Sequence, residues 1–207
     1  SSHYATAEKQ FRFPLGYGNQ RAQSATWTVT GCGAVVLESG SEMKREVAVT
    51  GITTGKLVDM GSKDSMNMGA AMAPAAFHTV MQNLKDLEIT KEQLEGGWYD
   101  KIITGDLGKI GKQALADLLR NEGLEAEGFL MDCGVEIYDN QKQDTHAGGS
   151  GCGCSALVLG ALILPNIQAG IWKRVLFVPT GALLSTVSFN EGQTIPGIAH
   201  GVILERV

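Results

Sequence analysis

The sequence is poor in cysteine, in aromatic residues and in clustered positive charge, and these shortages argue against several classes of protein. Four cysteines among 207 residues are too few for a disulfide scaffold, so we expect free thiols in a reducing compartment. The net charge is −5 and no basic cluster is longer than Lys44-Arg45 or Lys173-Arg174, which argues against nucleic-acid binding. The longest apolar run, residues 156–165, is too short to cross a bilayer.

The first residues of the sequence lack two features that mark the start of many proteins. It opens on SSHYATAEKQF, without an initiator methionine and without the pattern of a secretory signal peptide. We therefore expect the chain to be the later part of a longer protein. The composition that is present is globular, 43% apolar and 19% charged, in a chain long enough for one large or two small domains.

Strand patterns and helix patterns alternate along most of the chain. Short β-branched runs predict strands at residues 28–38, 45–49, 99–105, 128–132, 174–180 and 201–207, and residues 135–138 could extend the fourth. Apolar residues at helical spacing predict helices at 68–87, 91–94, 109–121 and 154–170. We expect Pro74 in or near the first turn of the first, Thr90 as the N-cap of the second, and Gly123 at the end of the third. The last helix is apolar nearly all round, so we expect it to be buried. This alternation predicts a layered α/β fold.

Three of the predicted strands contain or end in Thr-Gly, at residues 50–51, 104–105 and 180–181. In open α/β sheets, ligands bind beyond the carboxyl ends of the strands. Thr104, Asp106, Thr180 and Gly181 are therefore candidate binding residues. The alternative is that Thr-Gly only closes a strand and that Asp106 caps the following helix.

The most unusual stretch is HAGGSGCGCSALVLGALI, residues 146–163. Cys152 and Cys154, with Cys133 and His146, are possible zinc ligands, but the one-residue spacer and the lack of a second pair argue against zinc. Cys152 at a helix N-terminus is a possible nucleophile, but it would need a histidine as its base. The histidines available in the sequence are His3, His78, His146 and His200.

A third interpretation of the same stretch is an anion site. The backbone amides of residues 148–153 precede a predicted helix, whose N-terminus favours negative charge. Gly149, Ser150 and Cys152 would then lie against the ligand. The alternative is structural, because glycines also let a loop pass close beneath a sheet.

Three segments carry a resemblance to the thiolase and ketoacyl-synthase superfamily. GCGAVVLE (31–38) resembles the strand that closes the first half of that fold. AGGSGCGCSALVLGAL (147–162) resembles the loop and buried helix of its second half, and TGALLS (180–185) with IAHGVILERV (198–207) resembles its closing loop and strand. The resemblance implies a thiolase-like layered α/β/α/β/α fold, in which residues 1–45 end the first half and residues 46–207 form the second.

Within that superfamily the chain resembles a family of sporulation proteins from spore-forming Firmicutes, on stretches that include HYATAEKQFRFP (3–14), MGAAMAPAA (68–76) and IPGIAHGVILERV (195–207). The resemblance implies a protein that binds dipicolinic acid (pyridine-2,6-dicarboxylate), or its Ca²⁺ chelate, during loading of the developing spore. It also implies a location in the spore, peripheral to the inner membrane, with other stage V sporulation A proteins as partners. No resident cofactor or metal is implied.

The resemblance further implies that the pocket is not catalytic. Enzymes of this fold carry their acylated cysteine in the first half and basic partners in the second. Here residues 104–106, 148–149 and 180–181 stand where those enzymes have histidine, asparagine or a second cysteine. Each lost acid–base group costs a factor of about 10²–10⁴ in rate.

We therefore expect a binding protein rather than an enzyme. The expected ligand-binding residues are Thr104, Asp106, Gly149, Ser150, Cys152, Thr180 and Gly181, and the candidate cations that compensate a dianion are Arg12, Arg21, Lys56 and Lys109. Two alternatives stay open: a structural scaffold of the spore membrane complex, and an acyl-transfer enzyme.

Overall fold

The computed structural model describes residues 22–39 and 46–207. Its strands are β1 (Trp27–Thr28), β2 (Val47–Thr53), β3 (Lys101–Thr104), β4 (Leu130–Asp132), β5 (Gly149–Ser150), β6 (Arg174–Val178), β7 (Thr180–Ala182), β8 (Gly197–Ala199) and β9 (Gly201–Arg206). Its helices are α1 (Met68–Asp86), α2 (Lys91–Glu95), α3 (Gly108–Asn121), α4 (Cys133–Glu136), α5 (Cys154–Val158), α6 (Leu164–Gln168) and α7 (Thr186–Asn190). A π-helical segment, Leu159–Ile163, joins α5 to α6.

A five-stranded mixed sheet forms the centre of the molecule, in the order β2-β9-β6-β3-β4. β3 is parallel to both β4 and β6, whereas β9 is antiparallel to β6 and β2. Because successive residues of a strand point to opposite faces, Ile102 packs with α1 and α3 while Ile103 packs with α5 and α6. Helices thus cover both faces of the sheet, and the predicted α/β fold class is confirmed.

The local signals for α2 and α3 were correct. Thr90 caps α2 in a capping box with Gln93, as the sequence predicts. Gly123, with φ of 78°, follows the end of α3 in the left-handed conformation that favours glycine. In α1, by contrast, Pro74 lies inside the helix rather than in its first turn, and Asn67 provides the cap by accepting a hydrogen bond from the Ala70 amide.

Two predicted strands are wrong. Of the run 28–38 only Thr28 lies in a strand, as the second residue of β1, which pairs with β5, and Val36 and Leu37 are exposed. A β-branched run needs a neighbouring strand, and the described part of the chain offers none there. Residues 135–138 do not extend β4, because the Asp132 side chain accepts a hydrogen bond from Val135 N and starts α4 instead.

Two further expectations need correction. The Thr-Gly pair at 50–51 lies inside β2, at an irregularity in its pairing with β9, and does not end a strand. The helical run 154–168 buries one side only: Cys154, Val158, Ile163 and Ile167 are buried, whereas Gly160, Ala161 and Pro165 are exposed.

The predicted boundary between two halves at residue 45 lies outside the described residues. In the described part of the chain, no helix combines the length and apolarity that a membrane span requires.

Candidate ligand-binding site

A buried carboxylate organises the loops that follow β3 and β4. Asp132 Oδ2 accepts hydrogen bonds from Thr104 Oγ1 (2.7 Å) and Leu107 N (2.9 Å), and its Oδ1 accepts from Gly108 N (3.0 Å) and Val135 N (3.2 Å). One side chain therefore caps the first turns of both α3 and α4. Burial raises the pKa of Asp132, and these four hydrogen bonds oppose the rise.

Asp106 lies at the same edge of the sheet and links three segments. Its Oδ2 accepts a hydrogen bond from Gly151 N (2.9 Å), and its Oδ1 lies 3.4 Å from Thr180 Oγ1. The loop after β3, the glycine-rich loop and the start of β7 therefore meet at this carboxyl group. We call Asp106, Gly151, Thr180 and the neighbouring Ser155 the Asp106 cluster.

Burial is the main reason that the pKa of Asp106 rises from its ordinary value of 3.8 to about 6. The hydrogen bond from Gly151 opposes the rise, the negative charge of Asp132 adds to it, and the Thr180 hydroxyl opposes it. The carboxyl group can therefore lose or gain a proton near neutral pH, which makes it a candidate functional group.

Because residue 105 is glycine, the Ser155 hydroxyl group can lie close to Thr180 in the cluster. A Cβ atom at this position would lie 2.7 Å from Thr180 N and 2.9 Å from Ser155 Oγ, so only glycine fits between β7 and α5. Ser155 directly follows Cys154 in α5 and is not among the site residues predicted from the sequence. The signal was available, because Ser155 is the first hydroxyl in the helix that follows the glycine-rich loop.

Two backbone amides of the glycine-rich loop already donate hydrogen bonds within the protein. Gly148 N donates to Thr145 O (2.9 Å), and Gly151 N donates to Asp106. A Cβ at Gly149 would meet side-chain atoms of Ile137 and Val29 at 2.6 and 2.8 Å, so this glycine serves close packing. The anion bound by Gly151 in this structure is the protein's own carboxylate.

The seven predicted site residues therefore divide by position. Asp106, Thr180 and Gly181 lie together in or beside the Asp106 cluster, and Cys152 is exposed one residue beyond Gly151. Thr104 is buried beneath the cluster and bonds to Asp132. Gly149 and Ser150 pair with β1, and the Ser150 hydroxyl lies 2.7 Å from Thr26 Oγ1.

The other two cysteines of this region are packing residues. Cys133 and Cys154 are buried, and burial raises the pKa of both thiols, that of Cys154 to about 12. A buried, protonated thiol is a poor nucleophile and a poor metal ligand. Among the described residues, no group of three or more potential metal ligands comes together.

The described histidines lie elsewhere. His200 Nδ1 accepts a hydrogen bond from Gly55 N (3.0 Å), and His146 Nδ1 lies 3.2 Å from Ala22 O. The pKa of His78 is lowered, first by burial and then by the charge of Lys56. Within residues 22–39 and 46–207, no histidine forms a hydrogen bond with Asp106, Thr180 or Cys152. His3, Arg12 and Arg21 lie outside the described residues.

A surface cavity of about 700 Å³ lies apart from these residues. Its walls include Lys63, Leu183, Ser188 and Pro196, from the loop before α1 and from the β7–α7–β8 hairpin. It contains none of the seven predicted site residues. The hairpin itself was missed in the sequence, because its strands are only three residues long.

The Asp106→Asn substitution is expected to stabilise the protein in a pH-dependent manner. Because the folded-state pKa is raised, the charge of Asp106 costs nothing below pH 3.8, and the cost grows until the pH exceeds about 6. Relative to wild type, the variant should gain up to about 2 kcal/mol between pH 4 and pH 7.5. Urea unfolding at the two pH values measures the gain. The exposed Asp117→Asn is the control, and a gain independent of pH would contradict the assignment.

Comparison with known proteins identifies the family. A family model described as Stage V sporulation protein AD (SpoVAD) matches residues 1–205. The chain belongs to the stage V sporulation protein AD family. The family description names a sporulation protein, so the resemblance to a sporulation family is confirmed.

Individual relatives agree with this assignment. The chain is 46% identical over 206 residues to the Stage V sporulation protein AD of Bacillus subtilis (strain 168); the alignment covers 100% of this chain and 58% of that protein. The chain thus spans little more than half the length of this relative. Among solved structures, a chain of the ketosynthase ApeO in complex with its chain length factor ApeC from Xenorhabdus doucetiae aligns over 79% of this chain and 80% of that chain, with 10% identity and a TM-score of 0.35.

Proposed function

We propose that this member of the stage V sporulation protein AD family binds dipicolinate, free or as its Ca²⁺ chelate, and catalyses no reaction on it. In this proposal it belongs to the machinery that loads dipicolinate into the developing spore, peripheral to the inner membrane. The observation that carries the proposal is the Asp106 cluster. It combines hydroxyl groups, an amide and a titratable carboxyl group at the carboxyl ends of β3 and β6, where α/β proteins bind ligands.

The donors of the cluster suit a carboxylate ligand. The hydroxyl groups of Thr180 and Ser155 approach the same point near Gly105, and Gly151 N already holds one carboxylate oxygen. Hydrogen bonds to a charged carboxylate are about twice as strong as those between neutral groups. A planar dicarboxylate could therefore replace Asp106 as the partner of these donors.

The charge of the cluster decides which form of the ligand binds best. Asp106 and Asp132 are both acidic, so a free dianion meets repulsion while Asp106 is ionised. A Ca²⁺ ion that arrives with the ligand removes this repulsion, because Ca²⁺ coordinates carboxylate oxygens and Asp106 can supply one. Protonation of Asp106 also removes it. Of the candidate cations in the described residues, Lys56 lies near His78, and Lys109 lines a separate cavity.

Two observations support binding without catalysis. The buried thiols of Cys133 and Cys154 have raised pKa values, so neither is a ready nucleophile. The exposed Cys152 has no histidine hydrogen-bonded to it in the part of the chain that the structure describes. Nucleophilic catalysis by cysteine needs a base within hydrogen-bonding distance.

Calorimetric titration of the full-length protein tests the proposal. Dipicolinate is titrated with and without Ca²⁺, and acetyl-CoA is titrated as the control. Saturable binding of dipicolinate without binding of acetyl-CoA is the expected result. Failure to bind dipicolinate under both conditions would refute the proposal and favour a scaffold. Tight binding of acetyl-CoA would instead favour the acyl-transfer alternative.

Substitutions in the cluster locate the ligand. Thr180→Val removes one donor, and we expect it to weaken dipicolinate binding about tenfold, the cost of one hydrogen bond to a charged group. Asp106→Asn should strengthen binding of free dipicolinate at pH 7.5 and reduce the enhancement by Ca²⁺, because the repelling charge is gone. The exposed Thr54→Val is the control. Unchanged affinities in both cluster variants would place the ligand elsewhere.

A further inference from the structure

A second cavity, of about 330 Å³, lies beside α3 and shares no lining residue with the Asp106 cluster. One of its walls is a single face of the helix. Lys109, Lys112, Gln113 and Ala116 all line the cavity, and they follow the spacing i, i+3, i+4, i+7 that brings helical side chains to one side. The wall is therefore held by a regular 14-residue helix rather than by a loop.

The floor of this cavity is apolar. Ala116 and Leu130 are 5% and 2% exposed and belong to the core between α3 and the sheet. Val135, in α4, is half-buried beside them. Because Asp132 caps both α3 and α4, the elements on either side of the cavity are fixed relative to each other. The size and the apolar floor suit a small organic molecule.

The cavity is lined by two lysines and one glutamate. Lys109 and Lys112 form no ion pair within the described ranges 22–39 and 46–207. The one acidic residue of the lining, Glu127, forms its ion pair with Arg120, which also pairs with Asp117 and Glu125. Lys109 and Lys112 thus place two positive charges at the edge of the apolar floor. They favour an anionic ligand with an apolar body.

We propose that this cavity binds a small organic anion whose carboxylate lies between Lys109 and Lys112 and whose flat apolar body rests on Ala116, Leu130 and Val135. The ligand class is an aromatic or short aliphatic carboxylate. The Asp106 cluster is acidic, so an anion meets repulsion there unless a cation or a proton removes the charge of Asp106. The lysine cavity needs neither, so it takes the free anion.

The test is a titration of the full-length protein with isophthalate (benzene-1,3-dicarboxylate), which has the shape of an aromatic dicarboxylate but lacks the chelating ring nitrogen. We expect saturable binding without Ca²⁺, weakened at least about tenfold in the double variant Lys109→Gln/Lys112→Gln. Binding should also weaken as the salt concentration rises. The matched control is Lys85→Gln/Lys91→Gln, which removes the same charge from exposed positions outside the cavity.

Three outcomes overturn the proposal: no binding of isophthalate to the wild-type protein, equal weakening in the control variant, or unchanged binding in the Lys109/Lys112 variant. Thr180→Val separates this site from the Asp106 cluster. We expect it to leave isophthalate binding unchanged. Loss of isophthalate binding in Thr180→Val alone would assign the anion to the Asp106 cluster and would refute the lysine cavity without affecting the dipicolinate proposal.

Discussion

Replacing Asp132 with alanine is expected to lower the free energy of unfolding by about 3–5 kcal/mol, because four hydrogen-bond donors lose their acceptor at once. The carboxylate is completely buried and accepts four hydrogen bonds. Its removal leaves the Thr104 hydroxyl and the amides of Leu107, Gly108 and Val135 without their acceptor. Each buried donor left without a partner costs about 1–3 kcal/mol, and two helices lose a cap at the same time.

Chemical denaturation with a circular dichroism readout measures this loss. Asp132→Asn is the informative second variant, because its carbonyl oxygen still accepts hydrogen bonds and its amide nitrogen cannot. We expect it to lose less stability than alanine does. Asp117→Ala is the control, since this exposed aspartate pairs with Arg120 at the surface, where such pairs are worth at most about 1 kcal/mol. A loss below that value in Asp132→Ala would show that the carboxylate does not organise these loops.

The Gly69→Ala substitution is expected to destabilise the protein by about 2–3 kcal/mol through overpacking. Gly69 lies in the first turn of α1, where a Cβ would lie 2.0 Å from the carbonyl oxygen of Leu107. The obstacle is backbone, so no side-chain rotation can relieve it. Gly111 of α3 lies at the same contact, with its own Cβ position 2.8 Å from Gly69 Cα. The two helices approach this closely only because both positions are glycine.

The clash in Gly69→Ala should also affect the candidate site, because Leu107 directly follows Asp106. A shift of the 105–108 loop should also change the pH dependence that Asp106 gives to stability. Thermal unfolding measures the effect against a matched control, Gly160→Ala. Gly160 is an exposed residue of the π-helical segment, with no neighbouring atom within 4 Å of its Cβ position. Alanine there should be neutral or stabilising by up to about 1 kcal/mol. Equal stability of the two variants would contradict the close contact between α1 and α3.

The helices and most strands of the main sheet could be predicted because their signals are local. Apolar residues at helical spacing located α1 and α3, and capping residues such as Thr90 marked where helices begin. The run 28–38 has an equally clear β-branched composition, yet it forms almost no strand. Its composition is compatible with a strand, but strand formation depends on a pairing partner, which composition does not reveal.

The candidate site could also be predicted only in part from the sequence. The positions of Asp106 and Thr180 after predicted strands were enough to propose that they lie together, and the structure places their side chains 3.4 Å apart. Ser155 and Gly151 join them only because the glycine-rich loop folds back over Gly105. Asp132, the acceptor that fixes these loops, was overlooked although it ends β4, since nothing in the sequence distinguishes a buried carboxylate from an exposed one.

The sequence by itself determined the α/β class, the main helices, and the stretches that resemble a sporulation family. These depend on spacing, composition and short motifs, which a linear chain displays. Only the tertiary structure decided that Gly151 binds Asp106 rather than being free for a ligand, that Asp132 caps two helices, and that Lys109 faces a separate cavity. Burial, charge pairing and hydrogen-bond partners arise between residues distant in the chain, so they exist only once the chain has folded.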